Sequence, residues 1–396
     1  MDKWHILHEK FFGYSVITIL LVSMMGLVQL QFVKADNTNL SPQTNQIYLG
    51  AFVGPGHIET LTQLQSFETQ IGKCVSIWNW FQYWNRPDDS ENIAEFDAAL
   101  MNNCRAQGSI PMITWDPGDG GGNSEYPTLS DIINGNMDSY ITSFAESAKA
   151  WGHPFFIRMM HEFNGEWTPY YEGVNGNTAG QFVQAWRHVV DTFKKVGATD
   201  VSWVWCPNVQ GSNGPDLSSL YPGDPYVDWT GMDGYGQGTT FNQVFQWTYN
   251  AILNIAPAKP MMIAEVGYQG SNKASWFTDM VSNQLPNNYG HIDALVVWQD
   301  PETGFYLTDS ATIAAFKLGI SANYYSSNIY SALNISPIPA LEKASSAVSP
   351  SFPTSLPKST QISPTDQILL LTVVSVLVAA GAVFLYVKTK SRKKRK

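Results

Sequence analysis

The chain has 396 residues, of which 44% are hydrophobic, 13% aromatic and only 14% charged. That is too long for one minimal domain and suits a single barrel of ~250 residues with appendages. Net charge is −10, yet seven of the 23 Lys and Arg fall in the last nine residues. The remainder sets 16 basic against 33 acidic groups, a balance that excludes nucleic acid as a partner.

At the start, Tyr14 to Val28 is an uncharged run of 15 residues behind Lys3 and Lys10. Its length fits a signal-peptide core better than a membrane span. Residues 1–35 are therefore expected to be a leader cut after Ala35, with an uncleaved anchor as the alternative. From Ile47 to Ile320 strand-like and helix-like segments alternate. The expected strands are Ile47–Phe52, Cys74–Trp80, Ile110–Trp115, Phe155–Met160, Val201–Trp205, Trp229–Met232, Met261–Ala264 and Ala294–Trp298. Helical patterns run over Ile93–Ala106, Asp138–Trp151, Thr178–Val196, Phe241–Asn254, Lys273–Gln284 and Ala311–Gly319. Eight strands with helices between them predict an α/β fold, a closed (β/α)8 TIM barrel, within a domain of residues 36–325. No Gly-x-Gly-x-x-Gly follows the first strand, and Gly118-Asp119-Gly120-Gly121-Gly122 after the third reads as a mobile loop.

Residues 326–366 are rich in Ser, Pro, Thr and Ala without sustained periodicity, the composition of a flexible or extended stalk. Ile368 to Val387 is twenty residues without a charge, long enough to span a bilayer. Residues 367–387 are thus expected to form one C-terminal transmembrane helix. The basic tail 388–396 stays cytoplasmic, which leaves the globular part at the cell surface.

In a barrel, chemistry is expected where strands end. The fourth strand runs into His161-Glu162-Phe163-Asn164-Gly165-Glu166-Trp167, and the seventh ends at Glu265. Two carboxyls flanking one glycosidic bond are the machinery of glycoside hydrolysis, and a spacing of ~5–5.5 Å gives retention of configuration. One must hold a proton while the other is ionised, so their surroundings should differ. Tyr235, at the end of strand six, is placed to hydrogen-bond the nucleophile, and His161 to orient the acid. Trp298 and Trp167 offer flat faces for sugar rings, and Trp115 and Asn208, at further strand ends, are expected to bind substrate with them. Arg158 falls inside the barrel below Glu162, either supporting a carboxylate or pairing with an internal acid. His-Glu-x-x-His spacing is absent, which removes a zinc-protease reading. Cys74, Cys104 and Cys206 fit no zinc spacing either; Cys74 and Cys104 are open to being a bridge or two buried thiols. No metal cluster is visible, and no cofactor is expected.

Arg158-x-x-His161-Glu162-x-Asn164-Gly165-x-Trp167, with Met262-Ile263-Ala264-Glu265-x-Gly267, resembles glycoside hydrolase family 26 over about Ile47 to Ile320. Asp233-Gly234-Tyr235 and Trp298 resemble that family's elements on strands six and eight. The resemblance implies a retaining (β/α)8 enzyme with Glu162 as general acid/base and Glu265 as nucleophile. It also implies His161, Trp167, Asp233, Tyr235 and Trp298 as residues lining the sugar subsites. Most relatives are endo-β-1,4-mannanases, so mannan or glucomannan is the expected partner. Mixed-linkage β-1,3-1,4-glucan and β-1,3-xylan are the alternatives, because Thr168-Pro169-Tyr170 after Trp167 is closer to glucanase-like members. The non-enzymatic alternative is a carbohydrate-binding surface protein, which would have no need of both glutamates.

Overall fold

Side chains along a strand alternate between its two faces, and here both faces of each strand are buried. The computed structural model describes residues 46–54, 60–84, 95–118 and 127–341. The strands are β1 (Ile47–Val53), β2 (Ile77–Tyr83), β3 (Ile110–Asp116), β4 (Phe155–Met159), β5 (Val201–Trp205), β6 (Trp229–Gln237), β7 (Met261–Gln269) and β8 (Ile292–Gln299). They pair in parallel in sequence order, β8 returns to β1, and β1 pairs with β2, so the sheet closes on itself. The chain forms the expected (β/α)8 barrel.

Around it lie α1 (Leu61–Ile71), α2 (Ala98–Gln107), α3 (Leu129–Ile133), α4 (Asp138–Trp151), α5 (Ala179–Val196), α6 (Phe241–Ile255), α7 (Lys273–Asp279), α8 (Leu285–Asn288) and α9 (Ser310–Ile320). Thr-x-x-Gln fixes three helix starts. Thr60, Thr178 and Thr240 each accept from the backbone of the Gln three residues on, whose side chain reaches back in a capping box. The helix expected from Ile93 begins instead at Ala98, because the Asp97 carboxylate caps the backbone of Ala99 and Leu100. The single helix expected over Lys273–Gln284 passes after Asp279 into a π-helical turn, and Pro286 opens the short α8. β2 starts three residues later than Cys74, at Ile77.

Inside the barrel, alternate residues stack in layers. Tyr48, Ile77, Ile110, Phe156, Trp229 and Met262 form an apolar floor. Above it sit Thr114, Arg158 and Asp233, all fully buried, and at the mouth Phe52, Phe81, Tyr83 and Trp298 cluster against Tyr235 and Phe305.

The stretch expected to be a stalk from residue 326 is ordered protein as far as Leu341. A two-residue strand, β9 (Tyr325–Ser326), pairs with Ile47 and Tyr48. Beyond it the chain folds under the floor: Trp229 Nε1 donates to Ile338 O (2.7 Å), Tyr48 OH to Pro339 O (2.9 Å), and Ile338 N to Ser202 Oγ (2.8 Å). Ile338 is buried among the floor residues. Backbone groups that a solvated stalk would give to water are spent on the barrel base, so the domain extends past residue 325. The leader, residues 342–366, the 367–387 span, the basic tail and most of the Gly118–Gly122 loop lie outside the described residues. Among the described residues no helix is long and apolar enough to cross a membrane. Cys74, Cys104 and Cys206 are free thiols.

Candidate active site

Two local departures from regular strand geometry aim the glutamates. After β4, Met160 and Glu162 take φ of 46° and 51°, a left-handed conformation that costs a non-glycine residue ~1–2 kcal/mol. The bend is held because Glu162 N donates to Cys206 O (2.9 Å), and Asn164 locks the loop to β5 through Asn208 O (2.9 Å) and Asn208 N (2.7 Å). On β7, Met232 of β6 pairs with Ile263 but Asp233 pairs with Glu265, so Ala264 is the extra residue of a bulge. Met262 and Ala264 face the interior, and the bulge turns Glu265 inward as well, although it directly follows Ala264.

The two carboxyls meet different company. Glu265 accepts hydrogen bonds from Arg158 Nη2 and from Tyr235 OH. Arg158 Nη1 also binds both oxygens of Asp233 at 2.7 Å, and its Nε and Nη2 reach Thr114 Oγ1 at 3.0 and 2.7 Å. One buried guanidinium therefore serves two buried carboxylates, the geometry in which removing the cation is most costly. Burial pushes Asp233 up against the pull of Arg158, and it pushes the Tyr235 phenol up with help from Glu265, so that phenol stays a donor.

Glu162 accepts from Asn208 Nδ2 (2.5 Å) at one oxygen and from Trp167 Nε1 (2.7 Å) at the other. Burial pushes its carboxyl up, His161 pulls it down, Glu265 adds to the rise, and the two donors oppose it. His161 Nδ1 faces Asp116 Oδ2 at 2.6 Å, and its backbone N donates to Asp116 Oδ1 at 3.1 Å. Burial opposes the imidazolium, but the Asp116 carboxylate outweighs it and pushes His161 up to about 9. His161, Asp233 and Glu265 each offer an atom within 4.8 Å of the others, as a metal would require. Arg158 binds Asp233 and Glu265 of this group, and Asp116 engages His161 at Nδ1.

Trp298 stacks on Phe52, with ring centroids 4.1 Å apart, and meets Tyr235 edge-on. Trp167 is 56% exposed above Glu162. Asn208 stands at the mouth with its Nδ2 on Glu162 Oε1. Trp115 does not reach the mouth. On β3 the inward positions are Ile110, Met112, Thr114 and Asp116, so period-2 alternation turns Trp115 outward. There it stacks on Phe144 (4.4 Å) and its Nε1 donates to Tyr140 OH (3.1 Å). The inward neighbour Asp116 was the site residue at that strand end.

The sequence model described as Glycosyl hydrolase family 26 matches residues 72–309. The chain belongs to glycoside hydrolase family 26. This family 26 hydrolase is 36% identical to Endoglucanase H of Acetivibrio thermocellus over 77% of its own length, and the match spans only 33% of that protein. It is 25% identical to a mannan endo-1,4-beta-mannosidase of Bacillus subtilis over 72% of the chain and 80% of the relative. Among solved structures, a modular endo-beta-1,4-mannanase from Cellulomonas fimi shares the fold at TM-score 0.58 and 17% identity, covering 74% of this chain and 75% of that one. A family 26 beta-mannanase from Bacteroides ovatus aligns at TM-score 0.57 and 14% identity, over 72% of this chain and 93% of the other. Relatives named as mannan endo-1,4-beta-mannosidases recur among the curated proteins, and mannanases among the solved structures.

Proposed function

We propose that the enzyme hydrolyses internal β-linkages of a polysaccharide with retention of configuration, Glu265 attacking the anomeric carbon and Glu162 serving as acid, then base. The observation that carries this is the contrast between the two carboxyls. Glu162 is pushed toward its protonated form by burial, as proton donation to the leaving oxygen requires. Glu265 sits between a guanidinium and a phenol that both donate to it, leaving its oxygens oriented for attack. In the first half-reaction Glu162 protonates the departing oxygen while Glu265 forms the glycosyl ester. In the second, Glu162 takes a proton from water, which attacks the same carbon and frees Glu265. Trp298, Tyr235 and His161 line the sugar at the cut, and Trp167 carries the leaving side. Asp233 acts through Arg158.

Among substrates, β-linked glucan is favoured by the 36% identity to a protein named endoglucanase. Mannan is the second reading, favoured by mannosidases that match along most of their own length. Glucose and mannose differ only in the configuration at C2, so the barrel chemistry serves either. We infer an enzyme tethered to the membrane on the outside of the cell from the leader-like composition of 1–35 and the span-length apolar sequence of 367–387. That reading is supported by twenty uncharged residues ahead of seven basic ones and is tested by protease release from intact cells.

Glu265→Ala is expected to abolish hydrolysis while oligosaccharide binding persists; full activity in that variant refutes the assignment. Glu162→Gln is expected to lose far more rate on natural linkages than on an activated aryl glycoside, and equal losses would remove the acid role. Mixed-linkage glucan, glucomannan, galactomannan and β-1,3-xylan assayed side by side decide the substrate. Cleavage of mannan alone overturns the glucan choice.

A further inference from the structure

We propose that Asp116 is a positioning residue for the reaction, acting on Glu162 through His161. Asp116 is the last inward residue of β3 and is buried. Its Oδ1 takes the His161 backbone N–H (3.1 Å) and its Oδ2 faces ring Nδ1 (2.6 Å), with the Tyr170 hydroxyl beside the same carboxylate. One carboxylate thus fixes both the main chain and the ring of the residue that precedes Glu162. Tyr170 OH donates to His161 O (2.7 Å), and the Phe81 ring stands edge-on to the imidazole at 5.2 Å. Nδ1 is thereby turned toward the end of β3.

The charges around Glu162 show what that clamp does. β4 supplies Arg158, β6 supplies Asp233 and Tyr235, β7 supplies Glu265, and the loops add His161, Asn208, Trp167 and Tyr170. Arg158 is bound to Asp233 and Glu265. Among the described residues, the positive charge left to act on Glu162 is the His161 imidazolium, which Asp116 maintains. A group that serves as acid and then base works best with a pKa near the operating pH. Burial and Glu265 push Glu162 up, and His161 holds it back. The inference rests on Glu162 being the acid/base.

The test is Asp116→Asn, which keeps an oxygen for the His161 backbone N–H but carries no charge. The His161 ring, followed by NMR, is expected to titrate near 9 in the wild type and to fall into the ordinary histidine range in the variant. The basic limb of kcat/KM, which reports Glu162 as acid, is expected to move up by about one pH unit. With an aryl glycoside, kcat at neutral pH is expected to fall about tenfold, because the second half-reaction needs Glu162 ionised. A lower rate with both limbs unmoved would reduce Asp116 to a structural residue and overturn the proposal. So would a wild-type His161 that titrates below pH ~7, a measurement needing no variant. Failure of the acid/base assignment itself appears elsewhere, as equal Glu162→Gln losses on both leaving groups with the His161 titration unchanged.

Discussion

Gly165 offers a direct test of how Trp167 controls Glu162. The chain folds back so tightly there that an added Cβ would lie 2.3 Å from Trp167 Cζ2 and 2.4 Å from Cε2. Carbon atoms pack no closer than about 3.5 Å, so in Gly165→Ala the indole must retreat by roughly 1 Å or more. Gly165 is not among the glycines with positive φ, so the backbone itself admits alanine and the ring contact decides the outcome. The Trp167 Nε1 to Glu162 Oε2 bond, 2.7 Å long, then opens past ~3.5 Å, where it no longer counts as a hydrogen bond. A hydrogen bond to an ionised carboxylate contributes ~1.5–3 kcal/mol. Its loss falls on the charged form of Glu162, so the carboxyl rises by about one to two pKa units. The assay is the pH profile of kcat/KM on a soluble oligosaccharide, with tryptophan fluorescence reporting the ring. The basic limb should move up, and the same substitution in a Trp167→Ala background should add almost nothing. A fluorescence change with the limb in place would show that the indole moved and Glu162 did not respond, which refutes the coupling.

Arg158→Met is expected to destabilise the barrel by about 3–5 kcal/mol in chemical denaturation, since Asp233 and Glu265 would stay buried without their cation. Adding Asp233→Asn should recover part of that loss, and wild-type stability in the single variant would contradict the shared ion pair. Ending the chain after Ser326 removes the acceptors of Trp229 Nε1 and Tyr48 OH. With two buried donors orphaned, the expected cost is roughly 2–6 kcal/mol, read as a lower melting temperature. An unchanged melt would mean that the segment under the floor is dispensable.

The eight strands were legible because each is a short apolar run bounded by polar residues. Less legible was which face of a strand each residue takes. At the end of β3 the sequence offers Trp115 and Asp116 side by side, and only the count of alternating positions from Ile110 tells them apart. Glu265 breaks the same count, since the bulge at Ala264 leaves no mark in composition. Arg158 was legible as an internal residue, but its partners stand 75 and 107 residues away, and spacing of that kind carries no pairing signal. Thr60-x-x-Gln63 marks the start of α1, a two-residue signal that composition and periodicity do not carry. The Ser- and Pro-rich composition after residue 326 concealed a packed segment because Ile338 and Tyr330 are anchored one by one, without a period.

The guanidinium at the heart of the barrel has an implication for how such an enzyme can diversify. Two carboxyls and one cation share a buried compartment, so altering any single member strands the others, and neighbouring sequences are reached only by changing several at once. The aromatic rim above carries no charge. Trp298 and Phe305 meet Tyr235 through ring contacts, and new polymer preferences are to be sought there by directed evolution while the buried ion pairs and the Trp167–Glu162 bond stay untouched.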